Sequence, residues 1–232
     1  MKNFASGTPL DDFQASLIEV KERFQIPLWP WQRLAQAMIF DLHHDSFKSF
    51  LVFLRYTEGA AIAPASIFMH LCGVNESNGT YTSPLFEIRT AARRLAIFSY
   101  LVHIIRDIQK DQQSNLNYFA LDMLARHDLT PAIIRKAVET SIIPDKVRLL
   151  IKEYVLIAGY YRSKAREQVD RTLPLLKPQY QISLELIYAL YNQIYERIDW
   201  EQGVFTVEEL LPTPEEVKLR IQKKITAFTP KS

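Results

Sequence analysis

Along nearly the whole chain apolar residues recur at intervals of three and four, the spacing that lines one face of an α-helix, and proline cuts the segments apart. Between Pro9 and Phe24 the apolar positions are Leu10, Phe13, Leu17, Val20 and Phe24, and Pro27 and Pro30 then end the pattern. Trp31 to Leu42 makes a second helix. Asp45 or Ser46 is placed to cap a third through Phe50, Phe53 and Leu54, with Pro64 starting or kinking its continuation through Ile67, Phe68 and Leu71. A long helix is expected from Leu85 to about Gln112. Thr130 and Pro131 form an N-cap followed by proline at the first helical position, Pro144 opens another helix similarly, and further helices fit Asp145 to Leu173 and Pro178 to Arg197. Thr213 with Glu216 three residues on reads as a capping box for a last helix, Pro214 to Ile225. Residues 75–84 gather turn-favouring side chains and read as a loop, while Lys2 to Pro9 and Thr226 to Ser232 are expected to fray. No stretch sustains alternation with a period of two, so no sheet is expected and the fold class is all-α.

Several function classes fall away on composition. Lys and Arg outnumber Asp and Glu by only 28 to 26, which gives no overall electrostatic reason to expect nucleic acid as a partner. Cys72 is the only cysteine, so no intrachain disulfide can form and a reducing compartment fits. The first residues lack the apolar core of a secretory signal, and the longest apolar stretches, Ala60 to Val74 and Ala96 to Ile105, fall short of the roughly 20 residues that span a bilayer. No transmembrane helix is expected, and the localisation read from these features is cytoplasmic.

The chemistry-bearing segment is Arg106-Asp107-Ile108-Gln109-Lys110-Asp111. Asp107 and Asp111 are four apart, so on a helix they project from one face about 6 Å apart along the axis. Paired hard oxygens at that spacing suit Mg²⁺, which takes one or two carboxylates and completes its shell with water and phosphate oxygens. A salt-bridged turn at a helix end is the plainer alternative. The apolar run from Leu95 to Ile105 buries its helix on most sides and carries the pair to the mouth of a core cavity. His43 and His44 are adjacent, point to different sides of a helix and read as a solvated helix end. Arg89 and Arg93, one turn apart, read as surface charge or an anion site.

The order His103-x-x-Arg106-Asp107-x-x-x-Asp111, then Asn115-Leu116-Asn117-Tyr118-Phe119-Ala120, then Asp122 and Leu124, resembles a segment of the squalene/phytoene synthase family. There it reads Asn-x-x-Arg-Asp-x-x-x-Asp, then Gly-Arg-x-Tyr-Leu-Pro, then Asp-x-Leu. Other landmarks fall in the same order, from Ile26-Pro27 and Asp41 through Phe47, Tyr56 and Ala61 to Ala158, Tyr160, Tyr161 and Tyr191. The resemblance implies one helical domain over residues 1–232, an isoprenoid-synthase-like bundle around a central cavity. It also implies Mg²⁺-dependent condensation of prenyl diphosphates, farnesyl or geranylgeranyl diphosphate, in isoprenoid biosynthesis. Asp107 and Asp111 would be catalytic metal ligands, and Tyr56, His103, Arg106 and Tyr118 would bind substrate. Long prenyl substrates imply a peripheral membrane contact.

The sequence departs from the family pattern in places. The family's first aspartate-rich motif would lie ahead of Gly7, so the chain is expected to be short at its N-terminus. His103 stands for asparagine, Lys110 for an acidic residue, and Leu116 for an arginine that commonly helps hold diphosphate. These changes leave a second expectation standing beside the enzyme, a non-catalytic family member that acts as a binding or assembly protein.

Overall fold

A helix that is apolar nearly all round has to be enclosed, and the segment ending at Arg106 is enclosed on most sides. The computed structural model describes residues 2–44 and 46–231. They fold in order into α1 (Lys2–Ala5), α2 (Asp12–Arg23), α3 (Leu28–Asp41), α4 (Phe50–Thr57), α5 (Ala63–Gly73), a hairpin of β1 (Asn75–Ser77) and β2 (Thr80–Thr82), then α6 (Ile88–Arg106), α7 (Ile108–Gln113), α8 (Leu121–Arg126), α9 (Pro131–Thr140), α10 (Asp145–Thr172), α11 (Pro178–Tyr195), α12 (Val207–Leu210) and α13 (Pro214–Thr226).

Helix α6 is the axis. One side, carrying Phe98, Leu101, Val102 and Ile105, is fully buried, and the long α10 packs along it with Leu150, Ile151, Tyr154 and Ala158. Each such side chain contributes about 1.5–3 kcal/mol by leaving water. The opposite side of α6 meets α5, and α11 flanks both α6 and α10. Among the described residues no helix is long and apolar enough to cross a membrane.

Helices α4 and α5 are joined by one wide turn of π-helix, Glu58–Ile62, in which the Ala63 N–H donates to the Glu58 carbonyl five residues back. Pro64 has no N–H for the Ala60 carbonyl, and its ring would press on that carbonyl in a regular helix; the wide turn absorbs the mismatch. Arg89 donates to the Glu58 carboxylate at 2.9 and 3.0 Å, and Arg93 pairs with the same group, so both arginines clamp this turn onto α6. Gly59 lets α3 approach: a Cβ there would lie 2.3 Å from the Arg33 carbonyl oxygen and 2.7 Å from the Ala37 Cβ.

Some expectations change. The helix expected from Leu85 to Gln112 starts at Ile88, capped by the Glu87 side chain, and breaks at Asp107 into α6 and α7. Residues 75–82, read as loop, form an antiparallel hairpin pairing Asn75 with Thr82 and Ser77 with Thr80. Its turn is Asn78-Gly79, at φ 52° and 76°, the left-handed pair a two-residue hairpin requires. Ser49 caps α4 by accepting from the Val52 N–H, in place of Ser46; Asp45 lies outside the described residues. The ends are tied down where fraying was expected. Phe4 is buried against Trp31, and the Gln181 side-chain amide pairs with both backbone groups of Lys231 at 2.7 and 2.8 Å.

Gly59→Ala is expected to cost about 1–3 kcal/mol by overpacking, lowering Tm by roughly 2–12 °C in a chain of this size. Thermal denaturation followed by circular dichroism reads this; an unchanged Tm would mean that α3 does not close on the π turn.

Candidate active site

The methyl side chains of Ala60, Ala61, Ala65, Ala91, Ala92 and Ala96 leave a cavity of about 460 Å³ between α5, α6 and α11. That volume falls in the usual range for small-molecule sites, about 300–1,000 Å³. The lining is almost wholly apolar. Its polar members lie toward the C-terminal end of α6: Ser99, whose buried hydroxyl finds no hydrogen-bond partner among the described residues, then Tyr100 and His103, with Tyr191 from α11.

Just past that end the helix breaks. Asp107 sits at φ −95°, ψ 8°, outside the helical region, but the Asp111 N–H still donates to the Asp107 carbonyl at 2.8 Å. The two carboxylates therefore stay one turn apart, as the spacing implied. Their surroundings differ. Arg106 grips Asp107 through Nε at 2.6 Å and Nη2 at 2.7 Å, a two-pronged charge-assisted pair. The same Nη2 donates to His103 Nδ1 at 2.7 Å, which leaves Nε2 as the protonated nitrogen, 3.2 Å from Asp107 Oδ2. Burial depresses the His103 pKa, with Arg106 and Lys110 adding to it against Asp107, so the ring is neutral at pH 7. Burial works against ionisation of Asp107, but the Arg106 hydrogen bond and the charges of Arg106 and Lys110, with His103 Nε2 alongside, outweigh it and hold the carboxyl below the usual range.

Asp111 is the opposite case. Burial, then the negative charge of Asp107, push its carboxyl up to about 6, only partly offset by Lys110 and Arg106. Its carboxylate makes no hydrogen bond or ion pair among the described residues. Of the two acids, Asp111 is the one left to take a partner.

Three tyrosines complete this end. The Tyr56 hydroxyl donates to Asp41 Oδ2 at 3.0 Å, the Tyr56 and Tyr100 rings lie 6.2 Å apart, and Tyr118 meets Tyr100 edge-on at 6.4 Å. Tyr118 is carried on the segment after α7, which Asn117 ties to the Phe119 backbone and the Tyr154 hydroxyl ties to α10 by accepting from the Ala120 N–H at 2.9 Å. Burial raises the pKa of all three phenols, and the negative charges of Asp111 and Asp41 raise Tyr100 and Tyr118 further, so they stay protonated.

Of the six residues singled out from sequence, His103 lines this cavity, Arg106, Asp107 and Asp111 follow it just past the end of α6, and Tyr56 and Tyr118 lie beside Tyr100, each on the wall of a separate, smaller cavity. Sequence reading missed Asp41 and Tyr100 as members. Tyr100 is seven residues before Asp107, two helical turns along the same face, and that spacing was the available signal. His44 stacks on Phe40 at 4.0 Å and accepts no role here. Among the described residues no group of three or more His, Cys, Asp or Glu converges as a metal cage. The pair that is present fits Mg²⁺, which needs only one or two carboxylates when substrate phosphate supplies the rest.

Comparison with known proteins agrees with this fold. A family model described as squalene/phytoene synthase matches residues 5–216. Phytoene synthase 2, chloroplastic, of Oryza sativa subsp. japonica is 25% identical over 169 residues, 73% of this chain and 41% of that protein. The chloroplastic phytoene synthase of Narcissus pseudonarcissus is 24% identical over 199 residues, 86% of this chain and 44% of the relative. A 15-cis-phytoene synthase of Synechocystis sp. is 21% identical, with 94% of this chain and 63% of that protein covered. The chain therefore spans about half the length of these relatives. Among solved structures, a dehydrosqualene synthase in complex with ligand superposes with a TM-score of 0.71 at 14% identity, over 97% of this chain and 74% of that one. The squalene synthase HpnC from Alicyclobacillus acidocaldarius gives 0.62 at 16% identity, over 84% and 70%. The fold is shared, and the expected isoprenoid-synthase-like helical bundle is the one found.

The folded chain holds the Asp111 proton up to about pH 6, against a reference value of 3.8 for the carboxyl, so this group lowers stability as pH rises through that interval. With divalent cations chelated, Asp111→Asn is expected to melt about 2–4 °C above the wild type at pH 7 and level with it near pH 4. A difference that does not change with pH would contradict the assignment.

Proposed function

The chain belongs to the squalene/phytoene synthase family, and on that premise we propose that it binds an allylic prenyl diphosphate with Mg²⁺ and transfers the prenyl group. The observation that carries this reading is the unpaired Asp111 carboxylate, one turn from Asp107 and just past the helix end that brings Tyr100 and His103 into an otherwise apolar cavity. The names of the relatives and solved neighbours, phytoene, squalene and dehydrosqualene synthases, support the same substrate class. Farnesyl and geranylgeranyl diphosphate are the candidate substrates.

In such a transfer the allylic carbon–oxygen bond breaks, diphosphate leaves with the electron pair, the allylic cation is captured by the double bond of a second prenyl chain, and the cation so formed loses a proton to the released diphosphate. Magnesium, when bound, would supply positive charge to the diphosphate as it leaves. Asp111 and Asp107 would hold it. The alanine-lined cavity takes the hydrocarbon and keeps water from the cation. Tyr100 and Tyr118, held as neutral phenols, offer O–H donors to the diphosphate, and these rings with Tyr56, whose hydroxyl is given to Asp41, offer faces to developing positive charge. Arg106 holds Asp107 and His103 in place; Leu116 supplies no anion donor. A peripheral membrane contact in the cytoplasm goes with this reading, because the hydrocarbon is lipid-soluble.

One observation favours a second reading. The Arg106–Asp107 pair, with His103 beside it, neutralises one of the two acids, as a non-catalytic binding or assembly protein that keeps the helical shell would allow.

Farnesyl or geranylgeranyl diphosphate at about 100 times its Kd, with Mg²⁺, is expected to raise Tm by roughly 5–10 °C, and the Asp107→Ala, Asp111→Ala double variant should abolish the rise. No rise with either diphosphate overturns the proposal. Release of inorganic diphosphate from the bound substrate separates the two readings: measurable release excludes the non-catalytic one.

A further inference from the structure

Phe68 stands at the apolar end of the alanine-lined cavity. Phe68, on its wall, is also a wall of a second cavity of about 540 Å³. The second cavity continues along the same two helices. From α5 it takes Leu71 and Cys72, one turn beyond Phe68; from α11 it takes Tyr180 and Ser183, one turn before Leu184 and Ile187 of the first cavity. Tyr81 of the hairpin meets Phe24 at a tilt, with ring centres 4.6 Å apart, and both line this cavity.

The direction is fixed by the packing of α5 on α6. Tyr56, ahead of α5, lies beside Tyr100 near the C-terminal end of α6, whereas Gly73, the last residue of α5, lies against Phe86 just before α6 begins. The order along the groove is therefore Asp107 and His103, then the first cavity, then Phe68, then the second cavity and the hairpin. A chain whose head sits at Asp111 has its tail pointed at Phe68. The Phe68 ring is only half-buried and stacks on no other aromatic ring among the described residues, unlike Phe47 and Phe53 in the cluster near Tyr56.

We propose that Phe68 sets the isoprenoid chain length this site accepts, and that the second cavity is a subsite for the far end of a longer chain. The inference rests on the functional reading above. With phenylalanine in place the first cavity ends at its ring. Without it the two cavities join, and the additional isoprene unit of a geranylgeranyl chain gains contact with Leu71, Cys72 and Val74 of the second, whose lining also carries Glu76, Lys177 and Ser183.

Binding of farnesyl and geranylgeranyl diphosphate with Mg²⁺ is measured by calorimetry on the wild type, Phe68→Ala and Phe68→Leu, each checked for native circular dichroism. The ratio of the two Kd values is expected to move toward the longer chain by at least about tenfold in Phe68→Ala and by less in Phe68→Leu, which also serves if the alanine variant does not fold. Cys72, the chain's only cysteine, lines the second cavity and reports its occupancy. Geranylgeranyl diphosphate, and not farnesyl diphosphate, should slow iodoacetamide alkylation of Cys72 in Phe68→Ala by about tenfold. An unchanged Kd ratio, or Cys72 alkylation indifferent to the longer chain, in variants that bind overturns the inference alone. Failure of both diphosphates to bind wild type and variants overturns the functional reading, and this inference with it.

Discussion

The enclosure of α6 is the constraint on which the rest depends. Phe98, Leu101, Val102 and Ile105 bury one side of it against α10, and its other side meets α5. A helix so enclosed cannot end in open solvent next to its own core, so the charged residues that follow, Arg106, Asp107 and Asp111, are held half-buried at the end of the bundle. The alanines on the α5 side then convert what would be packed core into a hollow. Bulky residues at Ala92 and Ala96 would fill it; methyl groups leave it open, at the cost of the dispersion contacts a filled core would make.

Two chemically identical carboxylates one turn apart behave differently because of what faces them. Asp107 accepts two hydrogen bonds from Arg106 and lies beside His103 Nε2, so its charge is stabilised. Asp111 has burial and the Asp107 charge against it, and only through-space help from Lys110 and Arg106. A cation at Asp111 would relieve that penalty directly. The tyrosines hold the other side of the same space, with Asp41 and Asp111 both bearing on Tyr100 and Tyr118.

Much of this was legible in the sequence because it depends on spacing. The i, i+4 relation of Asp107 and Asp111 survives the break between α6 and α7, since the Asp111 N–H still reaches the Asp107 carbonyl. The break itself was hidden: the apolar period runs through Ile104, Ile105 and Ile108 without a fault, and only the local Arg106–Asp107 pair marks the departure. The hairpin was missed although Asn78-Gly79 is the strongest two-residue turn signal, because the flanking strands are only three residues each and carry no apolar alternation. Ser49 was passed over as a cap in favour of positions earlier in the chain. Asp41 stayed a landmark, because its partner Tyr56 is fifteen residues away and only the packing of α3 against α4 and the π turn brings them together. The hollow could be anticipated from the family resemblance, whereas its shape and the position of Phe68 are facts of three-dimensional packing.

The central claim is that Asp111, beyond the His103 end of the alanine-lined cavity, holds a divalent cation together with a prenyl diphosphate. Anomalous diffraction from crystals soaked with Mn²⁺ and a non-hydrolysable farnesyl diphosphate analogue tests it most directly. The account predicts a manganese peak coordinated by Asp111, with the hydrocarbon lying between α5 and α11 toward Phe68. A metal site elsewhere, or a chain bound outside that cavity, would contradict it.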